Sequence, residues 1–235
     1  LLLAPNITYE NADIWAKNTG QRILGLRDYF GSAPDGAASI HVLAIVISDD
    51  APLAVPTSES LAAGAIAVRT PSQTPPDMLL LREAANLWVT GALRAGPPWS
   101  LTPEEAWKTI GWADYLVSRL EMDTGHTSAI QYWDSLRRME HTLAGNTALN
   151  TASLNQAAAA MNADPLLYAL VRDKGHLGAL LLDERIRSDS GNTASLGMAL
   201  RQMLSEQNTY QTGAYISTRE LLQAIGANTG ADYTL

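Results

Sequence analysis

Three polar side chains interrupt an otherwise apolar stretch of the sequence. Arg82, Glu83 and Asn86 lie within residues 78–93, whose apolar residues predict a buried helix. Positions i and i+4 share one helix face, where two imidazoles can hold a metal ion beside a general base at i+1. Arg82 has no lone pair to offer a metal, and the Asn86 amide is a weak ligand. The pattern also fits a buried helix with a polar stripe, in which Arg82 bonds Asn86 and Glu83 faces solvent.

Two later segments combine glycine with aromatic and charged residues. The first reads Ile110-Gly111-Trp112-Ala113-Asp114-Tyr115. The second begins Arg172-Asp173-Lys174-Gly175 and runs on to Arg187. Tyr168 lies one helical turn before Arg172 and so belongs to the same predicted helix face.

The three segments together resemble gluzincin zinc peptidases, especially the glycyl aminopeptidase and aminopeptidase-N-like branches. In that family the first segment reads His-Glu-x-x-His, a Glu ligand precedes the Gly-aromatic pair, and a Tyr stands two residues before Lys-Gly. This chain has Arg82 and Asn86, Ile110, and Arg172 at those positions. The resemblance extends over about residues 10–225 and implies a zincin-like fold that has lost its ligands.

The resemblance therefore implies a chain without a zinc cofactor. Glu83 remains as the remnant general base, but a carboxylate without a Lewis acid beside it does not drive peptide hydrolysis. Its simpler role is to pair with Arg82 or Arg172. Tyr168 reaches the same predicted cleft and is a poor substitute for the lost Tyr.

The leading functional hypothesis is a non-catalytic peptidase-like domain, a pseudopeptidase that binds a peptide or protein partner in the remnant cleft. Two alternatives stay open. One is a metallopeptidase or aminopeptidase with an unconventional site, and the other is a structural scaffold domain of a larger protein. The resemblance slightly favours a secreted or periplasmic bacterial protein, and we interpret the chain as a piece of a longer one whose other domains are partners.

Other ligand and nucleophile patterns are few. The four histidines are His41, His126, His141 and His176, and no two have a metal-binding spacing. A displaced metal site using His176 with Glu83 is the alternative left open. The chain has no cysteine, no Gly-x-Ser-x-Gly turn and no phosphate-binding loop. Through the resemblance, Glu59 is a candidate anchor for a peptide amino terminus.

Composition narrows the class of partner. The chain has 235 residues, a net charge of −8 and 46% hydrophobic residues, which is typical of a globular protein. An acidic surface repels phosphate backbones, so we expect no nucleic-acid partner. No apolar run reaches the roughly 20 residues of a membrane span, so we expect none.

The predicted elements divide the chain at Asp77. A helix over 11–30 and strands at 40–47, 53–55 and 65–70 form a small lobe, 1–76, with a short mixed or antiparallel sheet. Predicted helices follow at 77–93, 102–120, 127–143, 154–161, 166–187, 194–205 and 217–225. We therefore predict an α+β class, with a β-containing N-terminal lobe and a larger all-helical lobe over 77–235.

Overall fold

The structure is a computed structural model that describes residues 2–3, 9–31, 41–46, 57–62, 65–70, 77–93, 102–207 and 217–233. Contacts divide the chain into two compact units, Leu1–Trp88 and Val89–Leu235. The division falls within the helix that begins at Asp77, whereas the sequence analysis placed the boundary at its first residue.

The described residues of the first unit form a small sheet, one complete helix and most of a second helix. Its elements are β1 (Leu2–Leu3), α1 (Tyr9–Phe30), β2 (His41–Val46), β3 (Thr57–Ala62), β4 (Ala65–Thr70) and α2 (Asp77–Ala92). The strand order is β1-β2-β4-β3. β1, β2 and β4 run parallel, with His41 opposite Ala65, and β3 runs antiparallel to β4.

Aromatic stacking joins α1 and α2 in this unit. The rings of Phe30 and Trp88 lie 5.4 Å apart and nearly parallel, and both side chains are buried. Leu80, Leu81 and Ala84 of α2 are buried as well. The prediction of a buried helix over 77–93 is thus confirmed, because apolar residues on most faces of a helix require cover on most faces.

The second unit is built from helices. They are α3 (Pro103–Asp123), α4 (Ala129–Gly145), α5 (Leu154–Ala160), α6 (Pro165–Asp189), α7 (Leu196–Gln207) and α8 (Thr218–Thr229), with a 3₁₀ turn at Thr147–Asn150. Local capping sets several boundaries. Ser217 and Glu220 form a capping box at the start of α8, and Asp164 caps α6 just before Pro165.

Two glycines allow α3 and α6 to pack backbone against backbone. A Cβ added to Gly111 would lie 2.7 Å from the His176 nitrogen and closer still to Gly175. One added to Gly175 would lie 2.9 Å from the Gly111 Cα and would overlap the Trp107 carbonyl. No larger residue fits at either position without moving a helix, so these glycines set the distance between α3 and α6.

A hydrophobic cluster fills the space beside this helix pair. Its buried members are Ala106, Leu143, Ala157, Ala158, Leu170 and Val171. Small alanines on α3 and α5 bring the helices close, and larger leucines from α4 and α6 fill the remaining volume. This cluster gives the second unit an apolar core of its own.

The predicted α+β class is wrong. Most described residues are helical, β1 has two residues, and β2, β3 and β4 have six each. The fold is predominantly helical, because helices account for most of the described residues and the strands are few and short. No described helix is long and apolar enough to cross a bilayer.

Individual strands were predicted unevenly. The strands expected at 40–47 and 65–70 are present as β2 and β4. The strand expected at 53–55 lies outside the described residues. β3 was not predicted, because its Thr-Ser-Glu-Ser sequence has little β-propensity. Pairing with β4 determines this strand, and a local pattern does not reveal such pairing.

The close approach of α3 and α6 gives a test with a control on the same helix. Gly175→Ala should lower the free energy of unfolding by about 1–3 kcal/mol, because the methyl group collides with backbone. Gly178→Ala should be neutral or stabilise by up to about 1 kcal/mol, since its Cβ would meet only the Trp107 ring at 4.0 Å. Urea denaturation measures both, and equal stabilities for the two variants would contradict the close contact.

Candidate functional site

The first predicted site segment lies on α2, in the first unit. Arg82 and Asn86 are buried, with 9% and 7% of their surfaces exposed, and Glu83 is half-buried. Each has a hydrogen-bonding or electrostatic partner, as a buried polar group requires. Arg82 stands at the position of the first His ligand in the resembled family. Its side chain is a cation that α2 holds away from solvent. The proposed pairing of Glu83 with Arg82 or Arg172 stays a prediction.

Ile110, at the position of the third resembled ligand, contributes to the core. It is partly buried on α3 and packs against the hydrophobic cluster, alongside Trp107 and Leu167. An apolar side chain packed among apolar neighbours is in its ordinary environment. A carboxylate introduced there would have to be satisfied by new polar contacts.

Arg172, at the position of the resembled oxyanion tyrosine, is bound to its chain neighbour. Its Nε donates to Oδ1 of Asp173 at 2.6 Å, and Asp173 is 1% exposed. Burial disfavours the charged form, but the hydrogen bond and charge of Asp173 outweigh it and raise the pKa of Arg172, with smaller contributions from Asp114 and Tyr168. Arg172 is therefore a compensated cation, and Tyr168 lies close enough on α6 to influence it.

His176 forms a buried pair that the sequence analysis did not foresee. Its Nδ1 lies 2.8 Å from Oδ2 of Asp114, the imidazole is 1% exposed, and the Tyr115 ring meets it edge-on at 5.5 Å. Nε2 has no hydrogen-bond partner in the part of the chain that the structure describes. Asp114 thus fixes the orientation of the ring. A metal site shared by His176 and Glu83 stays untested.

Asp183 joins three helices through one buried carboxylate. Oδ2 accepts from the Tyr115 hydroxyl at 2.6 Å and from Nε of Arg187 at 2.7 Å, while Oδ1 accepts from the Leu196 amide at 2.5 Å. Burial, followed by the charge of Asp183 and this hydrogen bond, raises the pKa of Tyr115 far above its ordinary value. These hydrogen bonds connect α3 and α6 to the first residue of α7, so Asp183 has a structural role.

The donor set at the resembled zinc positions does not fit zinc. Arg82 and Ile110 have no lone pair for a metal, and the Asn86 amide is a poor ligand. Among the described residues, no group of three His, Asp, Glu or Cys side chains could hold a metal ion. The predicted lack of a zinc cofactor stays a prediction about the protein in solution.

Glu59 has a position of interest in the first unit. It lies on β3, opposite Ala67 of β4, and β3 is an outer strand of the described sheet. An outer strand has backbone groups available to pair with another extended chain. The role of Glu59 as an anchor for a peptide amino terminus stays a prediction.

Comparisons with known proteins place the fold. No protein-family model and no curated protein sequence matches the chain. The crystal structure of an aminopeptidase N family protein from Idiomarina loihiensis is similar in structure, with a TM-score of 0.72 and 15% sequence identity. The match covers 98% of this chain and 42% of that chain. At this identity the likeness shows the fold alone, and this chain spans less than half of the length of that protein.

Tyr132 on α4 is a useful contrast with Tyr115. Its side chain is buried, and its hydroxyl has no hydrogen-bond partner among the described residues. Burial raises the pKa of Tyr132 to about 12, Arg119 opposes the rise, and the carboxylates of Glu184 and Asp183 add to it. The same Tyr→Phe change should therefore have different consequences at the two positions.

At neutral pH we expect Tyr115→Phe to lower the free energy of unfolding by about 1–3 kcal/mol, since Asp183 loses a donor. Tyr132→Phe removes an unsatisfied hydroxyl and should be neutral or stabilising. A raised pKa in the folded state means stability that is complete below about pH 10 and lost as the pH rises toward 12. Between about pH 10 and 12, Tyr132→Phe should therefore lose less stability than the wild type does.

Chemical denaturation at a series of pH values measures both effects. Equal destabilisation by the two Phe variants at neutral pH would contradict the assignment of the hydrogen bond. Superimposable profiles of wild type and Tyr132→Phe between pH 10 and 12 would contradict the effect of burial on Tyr132.

Proposed function

We propose that this chain is a gluzincin-like peptidase domain that does not hydrolyse peptides through zinc and that binds a peptide or protein partner. The observation that carries the proposal is the place of Ile110. Ile110 stands where the resembled family has its Glu ligand, and its side chain packs against the hydrophobic cluster of the second unit. A site that had only exchanged one donor for another would keep a polar side chain there.

The scaffold around the altered positions supports a domain maintained for something other than hydrolysis. Gly111 and Gly175 still permit the close approach of α3 and α6, and Tyr115 still bonds Asp183. These residues come from the two segments that resemble the family most closely. The likeness to the aminopeptidase N family structure agrees with a peptidase-like fold.

The chemistry of the altered positions supports the loss of catalysis. In a zinc peptidase the general base acts on a metal-bound water whose pKa the metal has lowered. Arg82 and Asn86 stand where the resembled family has its two His ligands, and neither side chain is an imidazole. Arg172 replaces the oxyanion tyrosine and is compensated by Asp173. A peptide that binds beside α2 would meet Glu83 as a polar contact, with no step of bond cleavage.

Metal content and turnover test the loss of catalysis. Protein purified without chelators should contain far less than one zinc per chain by atomic emission, and it should not release product from aminoacyl substrates with or without added zinc. An active aminopeptidase carried through the same steps serves as the control. Stoichiometric zinc together with turnover would overturn the proposal in favour of an unconventional active site.

Peptide binding tests the remaining function and separates it from a scaffold role. We expect a peptide-display library to yield binders whose affinity falls by about tenfold in Glu83→Gln, which keeps the shape and removes the charge. Glu140→Gln, on the exposed surface of α4, is the matched control. A library without binders would favour the scaffold alternative, and an unchanged affinity in Glu83→Gln would exclude Glu83 from the site.

A further inference from the structure

The second unit contains a cleft that none of the candidate site residues lines. It has a volume of about 500 Å³ and lies among α7, α8 and the end of α6. Small-molecule sites in proteins commonly have volumes of roughly 300–1,000 Å³. Size alone permits a ligand, and the nature of the lining indicates which kind.

The floor of the cleft is apolar. Ile186 of α6 and Ile225 of α8 are 0% and 1% exposed, and Ala199 of α7 is buried beside them. Met198 stands at the edge with 56% of its surface exposed. Methionine is flexible and polarisable and so adapts to apolar ligands of irregular shape. The floor therefore suits a short hydrocarbon body.

Among the described residues that line the cleft, Arg201 is the only charged one. It lies one turn after Met198 on α7, is exposed, and has no ion pair or hydrogen bond within the part of the chain that the structure describes. None of the described lining residues is acidic. By contrast, Arg119, Arg172 and Arg187 of the same unit each pair with an aspartate.

We propose that this cleft binds a small amphipathic carboxylate. The guanidinium of Arg201 presents a planar pair of donors that matches a carboxylate in two hydrogen bonds. The apolar body would lie over Ile186, Ala199 and Ile225, where it leaves water. Both parts are required, because the cation alone would hold any anion weakly and the floor alone would not distinguish charge.

Three eight-carbon probes test the proposal on the wild-type chain. Octanoate, 1-octanol and octylammonium share one apolar body and differ in charge, so isothermal titration or amide chemical shifts isolate the contribution of the carboxylate. Octanoate should bind about tenfold more tightly than octanol, and octylammonium should bind least. Perturbed amides should map to α7 and α8. Equal affinity for octanoate and octanol, or no binding of octanoate at millimolar concentration, would overturn the proposal.

Two arginine variants assign the effect to one side chain. Arg201→Gln should lose about tenfold in octanoate affinity and bind octanoate and octanol alike. Arg219→Gln removes the same charge from an exposed position on α8 that is not among the cleft residues, and it should bind as the wild type does. Equal losses in both variants would mean that net charge, and not Arg201, attracts the carboxylate, and would contradict the site.

Discussion

The contact between Gly111 and Gly175 is the constraint on which the second unit depends. Because neither residue has a side chain, the backbones of α3 and α6 meet directly, and the neighbouring positions come within hydrogen-bonding distance. Asp114 then reaches His176, and Tyr115 reaches Asp183. A wider separation would break both contacts together, so packing and polar chemistry in this region are one property of the helix pair.

Burial of charge shapes the candidate site more than catalysis does. Asp173 and Asp183 are almost fully buried, and each has an arginine partner on the same helix. Removing one partner of such a pair leaves a charge without compensation, which is costly in a low-dielectric interior. This explains why a strongly raised pKa, as at Tyr115, marks a structural connection here. A shifted pKa at a position that corresponds to the resembled family's site does not by itself indicate an active site.

Local patterns in the sequence predicted local structure well. The apolar run 78–93 predicted a buried helix, and the helix expected from residue 217 is α8, which begins at Thr218. The class was wrong because β-branched runs predicted strands but did not show how small a share of the described residues those strands form. The site partners were missed because the pairs are distant in sequence: Tyr115 and Asp183 are 68 residues apart, and Asp114 and His176 are 62. The family resemblance identified the three segments that carry the candidate site. The structure then placed Ile110 among apolar neighbours, which is the ordinary environment of an isoleucine.

The claim on which the proposed function rests is that Ile110, where the resembled family has a zinc-ligating Glu, belongs to the apolar core of the second unit. Ile110→Glu should therefore lower the free energy of unfolding by about 1–3 kcal/mol, because the carboxylate would lie among apolar neighbours. Ile130→Glu makes the same change at a position on α4 that is 75% exposed, and it should alter stability by no more than about 0.5 kcal/mol. Urea denaturation at neutral pH measures both variants. Equal stabilities for the two variants would contradict the account.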